Sequence, residues 1–407
     1  MCLPVAGIDA TFMKNNEYNG QMLLLVMRDG ALRNVVVAAA LVDKETEANY
    51  TWFFQQVKHG EGMSDLLNNS KMLFISDRNQ GLMNAIDSHF PDASRRHCLA
   101  HLARNIKDRP GGSTGLGPGQ GLFWSLARST NVTEWNANWQ LLQTARPDLA
   151  AYLAEADFYK WSLLHLMEKG VTGFGVDTSN FVESSNAAFR GLRELQPPAW
   201  LETISTYLAT ERYERRAEAE TWREESHIIT PPVMDRYWKQ AKMASAYKVE
   251  RLGVDLAKVE HNGTDRFAHQ RQVRLDVQQC TCTDWEQLGY PCRHAVAFAK
   301  LAGGGDRLSS AEWFRDSRVF SPTFLVDTVI EAYCIEVVLP LRDDVVPPEG
   351  AALLPPLRVK PAGRPRKKRI RSRGEGGGDG AAKRVFHCGR CRNTGHTART
   401  CTNPVGG

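Results

Sequence analysis

Three strand-sized apolar runs follow one another before any helical pattern begins, and this order most restricts the fold. "PVAGIDAT", "QMLLLVMR" and "NVVVAAALV", all within residues 4–42, are rich in Val, Leu and Ile. Helical spacing starts only at "EANYTWFFQQVKH", where Tyr50, Phe53, Phe54 and Val57 fall on one face. "KMLFIS" reads as a fourth strand and "NQGLMNAIDSHF" as a second helix, ended by Pro91. A short segment ending at Cys98 precedes a third helix through Asn105. The β-β-β-α-β-α order predicts an α/β fold. The longest apolar runs are far too short to span a bilayer, so no membrane partner is expected.

Beyond this unit the pattern changes. "DRPGGSTGLGPGQG", residues 108–121, is a glycine-rich joint. From 121 to about 250 the spacing is helical, through "LFWSLARST", "TEWNANWQLLQ", "LAAYLAEADFYKWSLLHLME" and "LETISTYLATERYERRAEAETWREE". Residues 251–277 read as strands, and from about 341 the chain is rich in Pro, Gly and Arg and is expected to be disordered. The N-terminal "MCLPVAGID" lacks the basic and long apolar regions of a signal peptide, which predicts an intracellular protein. In that compartment clustered cysteines are more often metal ligands than disulfides.

Two such clusters occur. "CTCTDWEQLGYPCRH" holds Cys280, Cys282, Cys292 and His294 in a C-x-C-x9-C-x-H spacing that suits a closed tetrahedral zinc site. "AVAFAKLA" supplies a helix whose start holds the last ligand, and so few residues cannot otherwise form a core. The second, "CGRCRNTGHTARTC", places Cys388, Cys391, His396 and Cys401 at C-x2-C-x4-H-x4-C. This is the spacing of a zinc knuckle, a module that binds exposed nucleic-acid bases. Two Zn²⁺ ions per chain are therefore expected.

The formal net charge of +5 is uneven. Nine Lys or Arg and no acid lie between Arg358 and Arg373, so removing them leaves about −4 on the rest. Within this run Gly363, Arg364 and Pro365 form a G-R-P core followed by Arg366, Lys367, Lys368 and Arg369. The core resembles an AT-hook, whose Arg would enter a narrow A·T minor groove. The same residues suit a solvated linker or a nuclear-import signal equally well. DNA as a partner follows from the hook reading, and the nucleus as location from the import reading.

Three acids stand out by position: Asp9 in "VAGIDAT", Asp77 in "LFISDRNQG" and Glu183 in "TSNFVESSNAAFR". Acids at neighbouring strand ends, with one from a later helix, would hold two divalent metals about 3.5–4 Å apart for phosphoryl transfer. Hard oxygen ligands suit Mg²⁺ or Mn²⁺. Taken singly each acid also has a plain role: Asp77 as a helix cap, Asp9 as a turn residue and Glu183 as a first-turn acid at a helix dipole.

The stretches "GIDATFMKNNEYNGQMLLLVMRDG", "WFFQQV", "ISDRNQGLMNAI", "FPDASRRHCLAHLARN" and "TSNFVESSN", in this order, resemble the Mutator-like element (MULE) transposases. The first cysteine cluster resembles their SWIM zinc finger, with Trp285 and Pro291 also fitting, and a basic tail with a terminal knuckle follows as in many members. The resemblance implies an RNase H-like mixed sheet with a D-D-E metal site, interrupted by an all-α insertion before the glutamate. It carries the catalytic roles onto Asp9, Asp77 and Glu183, and matches Cys98 and His101 in "HCLAH" to a C-x2-H motif. At i and i+3 of a helix these two share a face, with a structural, DNA-contacting or metal-linked role left open. Members usually carry an upstream zinc-containing DNA-binding region, whereas this chain begins almost on the first acid-bearing strand.

On this basis the chain divides into seven parts. Residues 1–107 form the first part of the RNase H-like core, 108–180 a linker and helical insertion, and 181–250 the glutamate-bearing and further helices. Residues 251–305 form the SWIM finger, 306–340 a helical extension, 341–385 a basic linker and 386–403 the CCHC knuckle. The implied function is metal-dependent DNA strand cleavage and transfer, with transposon ends and target DNA as partners and homo-oligomerisation left open. Two alternatives stand beside it. One is a transposase-derived, non-catalytic DNA-binding regulator like the plant far-red-response family, and the other is a metal-dependent ribonuclease on the same fold.

Overall fold

The computed structural model describes residues 2–15, 18–107, 118–263, 270–302 and 319–334. The predicted knuckle (Cys388, Cys391, His396, Cys401) and the basic residues Arg364, Arg366, Lys367, Lys368 and Arg369 lie outside the described residues, as does most of the glycine-rich joint.

The three opening runs form β1 (Cys2–Phe12), β2 (Gln21–Asp29) and β3 (Asn34–Val42), paired as an antiparallel meander. Helix α1 (Glu47–Lys58) starts at Thr46, whose side chain accepts from the backbone of Asn49. A short α2 (Met63–Leu67) leads to β4 (Leu73–Ser76), then α3 (Gln80–His89), β5 (Ser94–His97) and α4 (Leu99–Lys107). The five strands form one mixed sheet in the order β3-β2-β1-β4-β5, with β4 parallel to both β1 and β5.

Strand β2 shows why the sheet needs cover on both faces. Leu23, Leu25 and Met27 pack with Tyr50, Phe53, Phe54, Leu82 and Ile86 of α1 and α3. The alternate residues Met22, Leu24 and Val26 pack the opposite way, with Phe181, Val182, Phe189, Trp200 and Ile204. Those five belong to α9 (Asn180–Ala188), its C-cap and the long α10 (Pro197–Glu224).

Between α4 and α9 lie α5 (Pro118–Arg128), α6 (Val132–Ala145), α7 (Pro147–Glu155) and α8 (Leu163–Glu168). They share an apolar cluster with α4 that includes Leu99, Leu102, Phe123, Trp135, Leu153 and Trp161. The run "LAAYLAEADFYKWSLLHLME" is not continuous helix. Asp157 takes a φ of 60° and accepts from the backbone of Tyr159, which ends α7 and starts a 3-10 turn before α8.

After α11 (Pro231–Met243) come β6 (Tyr247–Arg251), β7 (Leu256–His261), β8 (Arg271–Arg274) and β9 (Gln279–Cys280), an antiparallel four-stranded sheet. Helices α12 (Asp284–Leu288) and α13 (Arg293–Ala302) follow, and α14 (Val326–Ala332) packs on α10. This C-terminal unit does have an apolar core apart from any metal. The cysteines share it with Leu3 of β1, Val233 and Tyr237 of α11, Phe298 of α13 and Phe324. The expectation that the cysteine module has no other core is therefore corrected: its own turns are short, but distant segments close over them.

Candidate carboxylate site and metal-binding cluster

In the parallel pairing of β1 and β4, Val5 lies opposite Leu73 and Gly7 opposite Ile75. Two residues beyond this pair stand Asp9, still within β1, and Asp77, just past the end of β4. Side chains alternate along a strand, so both acids continue the row of Val5, Leu73 and Ile75, which faces α9. Asp9 sits inside β1 rather than at its end, while Asp77 directly follows β4.

Helix α9 reaches this face because residue 7 is glycine. A Cβ there would collide with Val182 and Phe181. Seated this closely, α9 presents Asn186, whose Nδ2 donates to Asp9 Oδ2 at 3.0 Å. Asn186 is buried, and its Oδ1 has no partner among the described residues. Asp77 Oδ1 accepts from the backbone N–H of Asn79 at 3.1 Å. The cap of α3 is Asn79 itself, whose side chain accepts from Leu82, so the capping role imagined for Asp77 belongs to its neighbour.

Electrostatics concentrate on Asp9. Burial, then the charge of Asp77, then Glu45 and lastly Glu183 push its carboxyl up to about 7, against a small opposing backbone hydrogen bond. Among the described residues, the cations beside these acids are Arg104 and His101, which stand against Glu183 and not against Asp9. A divalent cation would offset the crowding at Asp9, and oxygen-only donors of this kind suit a hard ion.

Glu183 lies in the first turn of α9. Its Oε1 is 3.4 Å from Arg104 Nη2 and 4.0 Å from His101 Nε2, both on α4. Glu183 thus leans on the basic side of α4, yet is near enough for its charge to act on Asp9. Cys98 and His101 form a polar strut beneath it. Cys98 Sγ accepts from the backbone N–H of Ser179, the N-cap residue of α9, at 3.2 Å. Burial would raise the Cys98 thiol, but the neighbouring His101 and the Ser179 N–H outweigh it and hold the thiol below its ordinary value. His101 is raised in turn, chiefly by the proximity of Cys98. Together with Leu99 N donating to Asp177 O at 3.0 Å, the strut fixes where α9 begins.

Cys280, Cys282, Cys292 and His294 converge, with one candidate ligand atom from each and all within 4.8 Å of one another. His294 Nδ1 lies 3.7 Å from Cys280 Sγ and 3.8 Å from Cys292 Sγ. Tetrahedral zinc, with Zn–S near 2.3 Å and Zn–N near 2.0 Å, sets such atoms about 3.5–3.8 Å apart, so the donor set fits this ion. Burial and the cations Arg293 and Arg271 hold His294 down to about 4, which keeps it neutral as a ligand must be. The Tyr247 ring stands edge-on to His294 at 4.7 Å and fixes its plane. The cluster is tied to the rest of the chain by Gln287, which accepts from Gly173 N and donates to Val171 O.

Sequence reasoning missed Asn186, Asn79 and Glu45. Asn186 was within reach, since i and i+3 put it on the face of Glu183. Glu45 lies among several acids in "VDKETE" and carries no motif.

Two stretches of the chain match known family models. Residues 5–105 match the family model of the MULE transposase domain. Residues 269–299 match that of the SWIM zinc finger. The chain is also similar to "Protein FAR1-RELATED SEQUENCE 4" of Arabidopsis thaliana, 22% identical over 318 residues, which cover 71% of this chain and 42% of that protein. The chain thus spans about two fifths of the length of the curated relative it matches.

Proposed function

We propose that the protein is a transposase-type DNA strand-transfer core, with an RNase H-like sheet and α5–α8 as its helical insertion. The observation that supports this reading is the parallel pairing of β1 with β4, together with the charge of Asp77 acting on the carboxyl of Asp9. The match of residues 5–105 to the MULE transposase domain supports it.

Asp9, Asp77 and Glu183 would hold Mg²⁺ or Mn²⁺. When bound, two such ions activate the attacking oxygen and stabilise the leaving one in phosphoryl transfer. The chain's own residues prepare the place. Asn186 orients Asp9, the Asn79 N–H orients Asp77, and the Cys98–His101 strut sets the start of α9. Glu183 would join them on turning from Arg104 toward Asp9. Zinc serves the SWIM finger and the terminal knuckle, where it holds structure and takes no part in the reaction. The basic residues 364–369 would hold DNA or direct nuclear import.

One observation favours a second reading, the non-catalytic DNA-binding regulator: Glu183 is engaged by Arg104 and His101 rather than by the other acids. The test is incubation of the full chain with duplex DNA and Mn²⁺. Nicking abolished by Asp9→Asn and by Asp77→Asn supports the enzyme, whereas DNA binding without any nicking supports the regulator. Cleavage of an RNA–DNA hybrid in preference to duplex DNA would indicate the ribonuclease instead.

A further inference from the structure

Beside the acid group the sheet ends in a second recess. Strands β4 and β5 run parallel with Ser76 opposite His97 at their carboxyl ends, where ligands of such sheets gather. Ser76 is followed by Asp77 and then by Arg78, just before α3. Arg78, Arg95, His97 and Lys160 line a pocket of about 410 Å³ there. The break at Asp157 has a use in this place. It ends α7 and lets the 3-10 turn Phe158–Lys160 supply Lys160 to the lining.

His97 is only 6% exposed, and its Nδ1 is buried without a partner among the described residues. A buried polar atom is costly unless something pairs with it. Arg78 and Lys160 are half-buried, and neither forms an ion pair among the described residues. The Arg78 guanidinium lies over the Tyr152 ring of α7, 4.9 Å from its centre. Arg95 is already held, through Nε and Nη2, by Asp87 at 2.9 and 2.8 Å. The two acids of the lining, Glu155 and Asp157, are exposed to water, and Asp157 accepts from the backbone of Tyr159. The cations thus face inward and the acids outward.

We propose that this recess is a phosphate site, in which Arg78, Lys160 and His97 Nδ1 hold a backbone phosphate of the DNA strand that crosses the acids. The inference rests on the DNA-binding part of the reading given above. Charge agrees with geometry. Burial first, then Arg95, Arg78 and Lys160, hold His97 down to about 3, with no acid among the main influences. Burial and then Arg95 lower Lys160 as well. A bound phosphate would offset these cations and give Nδ1 its partner, as an N–H toward a phosphate oxygen. Arg78 directly follows Asp77, so a strand held here is set in register with the acids, and a phosphate contact fixes register without reading sequence.

The test is a salt titration of duplex-DNA binding by the full chain, for wild type and for Arg78→Gln combined with Lys160→Gln. One phosphate contact contributes about 0.9 to the slope of log affinity against log salt, so the double variant should lower the slope by about that amount on every duplex sequence. Lys160→Gln alone should weaken binding and Lys160→Arg, which keeps the charge, should restore it, a pair that answers the question even where the double variant melts early. The ring-nitrogen resonances of His97 should move when duplex is added to wild type and stay in place in Lys160→Gln. An unchanged slope in a folded double variant that still binds DNA overturns the site and leaves the strand-transfer reading standing. Ring signals that respond to inorganic phosphate but not to duplex overturn it too, because the recess then takes a free anion only. A lowered slope supports the site even where the chain never nicks DNA, so the two readings fail separately.

Discussion

Asn186 on α9 donates to Asp9 on β1 across 177 residues of sequence, at 3.0 Å. The bond joins the first acid of the sheet to the helix that carries the third, and it exists only because Gly7 lets that helix lie against the strand. A hydrogen bond to a charged group contributes about 1.5–3 kcal/mol. Asn186→Ala should therefore destabilise the chain by about that amount at pH 8, where Asp9 is ionised, and by less at pH 5. Urea unfolding at the two pH values measures the difference, and equal losses at both would show that the bond does not depend on charge.

The Asp9 carboxyl itself gives a pH signature. Folding raises it from 3.8 to about 7, so the folded chain holds this proton more tightly than the unfolded one. Its stabilising contribution is complete below about 3.8 and is lost as pH rises through 7. In chelator, wild type should lose more stability between pH 4 and pH 8 than Asp9→Asn, which lacks the group. Adding Mn²⁺ at pH 8 should return much of the loss to wild type alone. Parallel stability curves for the two proteins would contradict the raised value.

The sheet was legible because its runs are long and its burial is two-sided, so β1 to β4 follow almost directly from the apolar pattern of residues 4–76. Asp9 and Asp77 were visible for the same reason, as acids interrupting or ending apolar strands. Glu45 was not, because it meets Asn79 only where two connections separate in sequence come together. The break at Asp157 escaped because the apolar spacing continues through it while a single positive φ turns the chain. The setting of the cysteine cluster escaped because its core draws on Leu3 and Phe324, more than three hundred residues apart.

Arg104 gives a sharper view of Glu183. The pair is largely solvent-exposed and worth roughly 0.2–1 kcal/mol. Arg104→Ala should free Glu183 to turn toward Asp9 and tighten Mn²⁺ binding by no more than about fivefold. Spin-resonance titration is the measurement. Weaker binding in Arg104→Ala would mean that Arg104 supports the site and does not hold its glutamate back.

Zinc removal should reach beyond the cysteines. Cys292 is fully buried in the cluster that also contains Val233 and Tyr237 of α11, Phe298 of α13 and Phe324. Cys292→Ser, or chelation of wild type, should raise amide exchange across α11, α13 and residues 319–334, with α1 and α3 unaffected. Cobalt substituted at this site should show the visible absorption of a tetrahedral ion with thiolate ligands. Exchange confined to residues 280–300 would mean that the shared core holds without the metal.

How DNA is held divides the basic run from the rest of the chain. Nine Lys and Arg lie in residues 358–373, and the remainder carries about −4. Each phosphate contact contributes about 0.9 to the slope of log affinity against log salt on duplex DNA. Deleting residues 341–407 should therefore lower that slope by several units and weaken binding across all sequences, with a mild loss of A·T preference. Arg364→Ala in the full chain should cost more than Lys367→Ala if the G-R-P core enters a minor groove, because a groove contact reads shape where a phosphate contact supplies only charge. Titration of binding against salt for the two chain lengths measures both effects. An unchanged slope after truncation would place the contacts elsewhere, on the helical insertion α5–α8, and leave nuclear import as the role of the basic run.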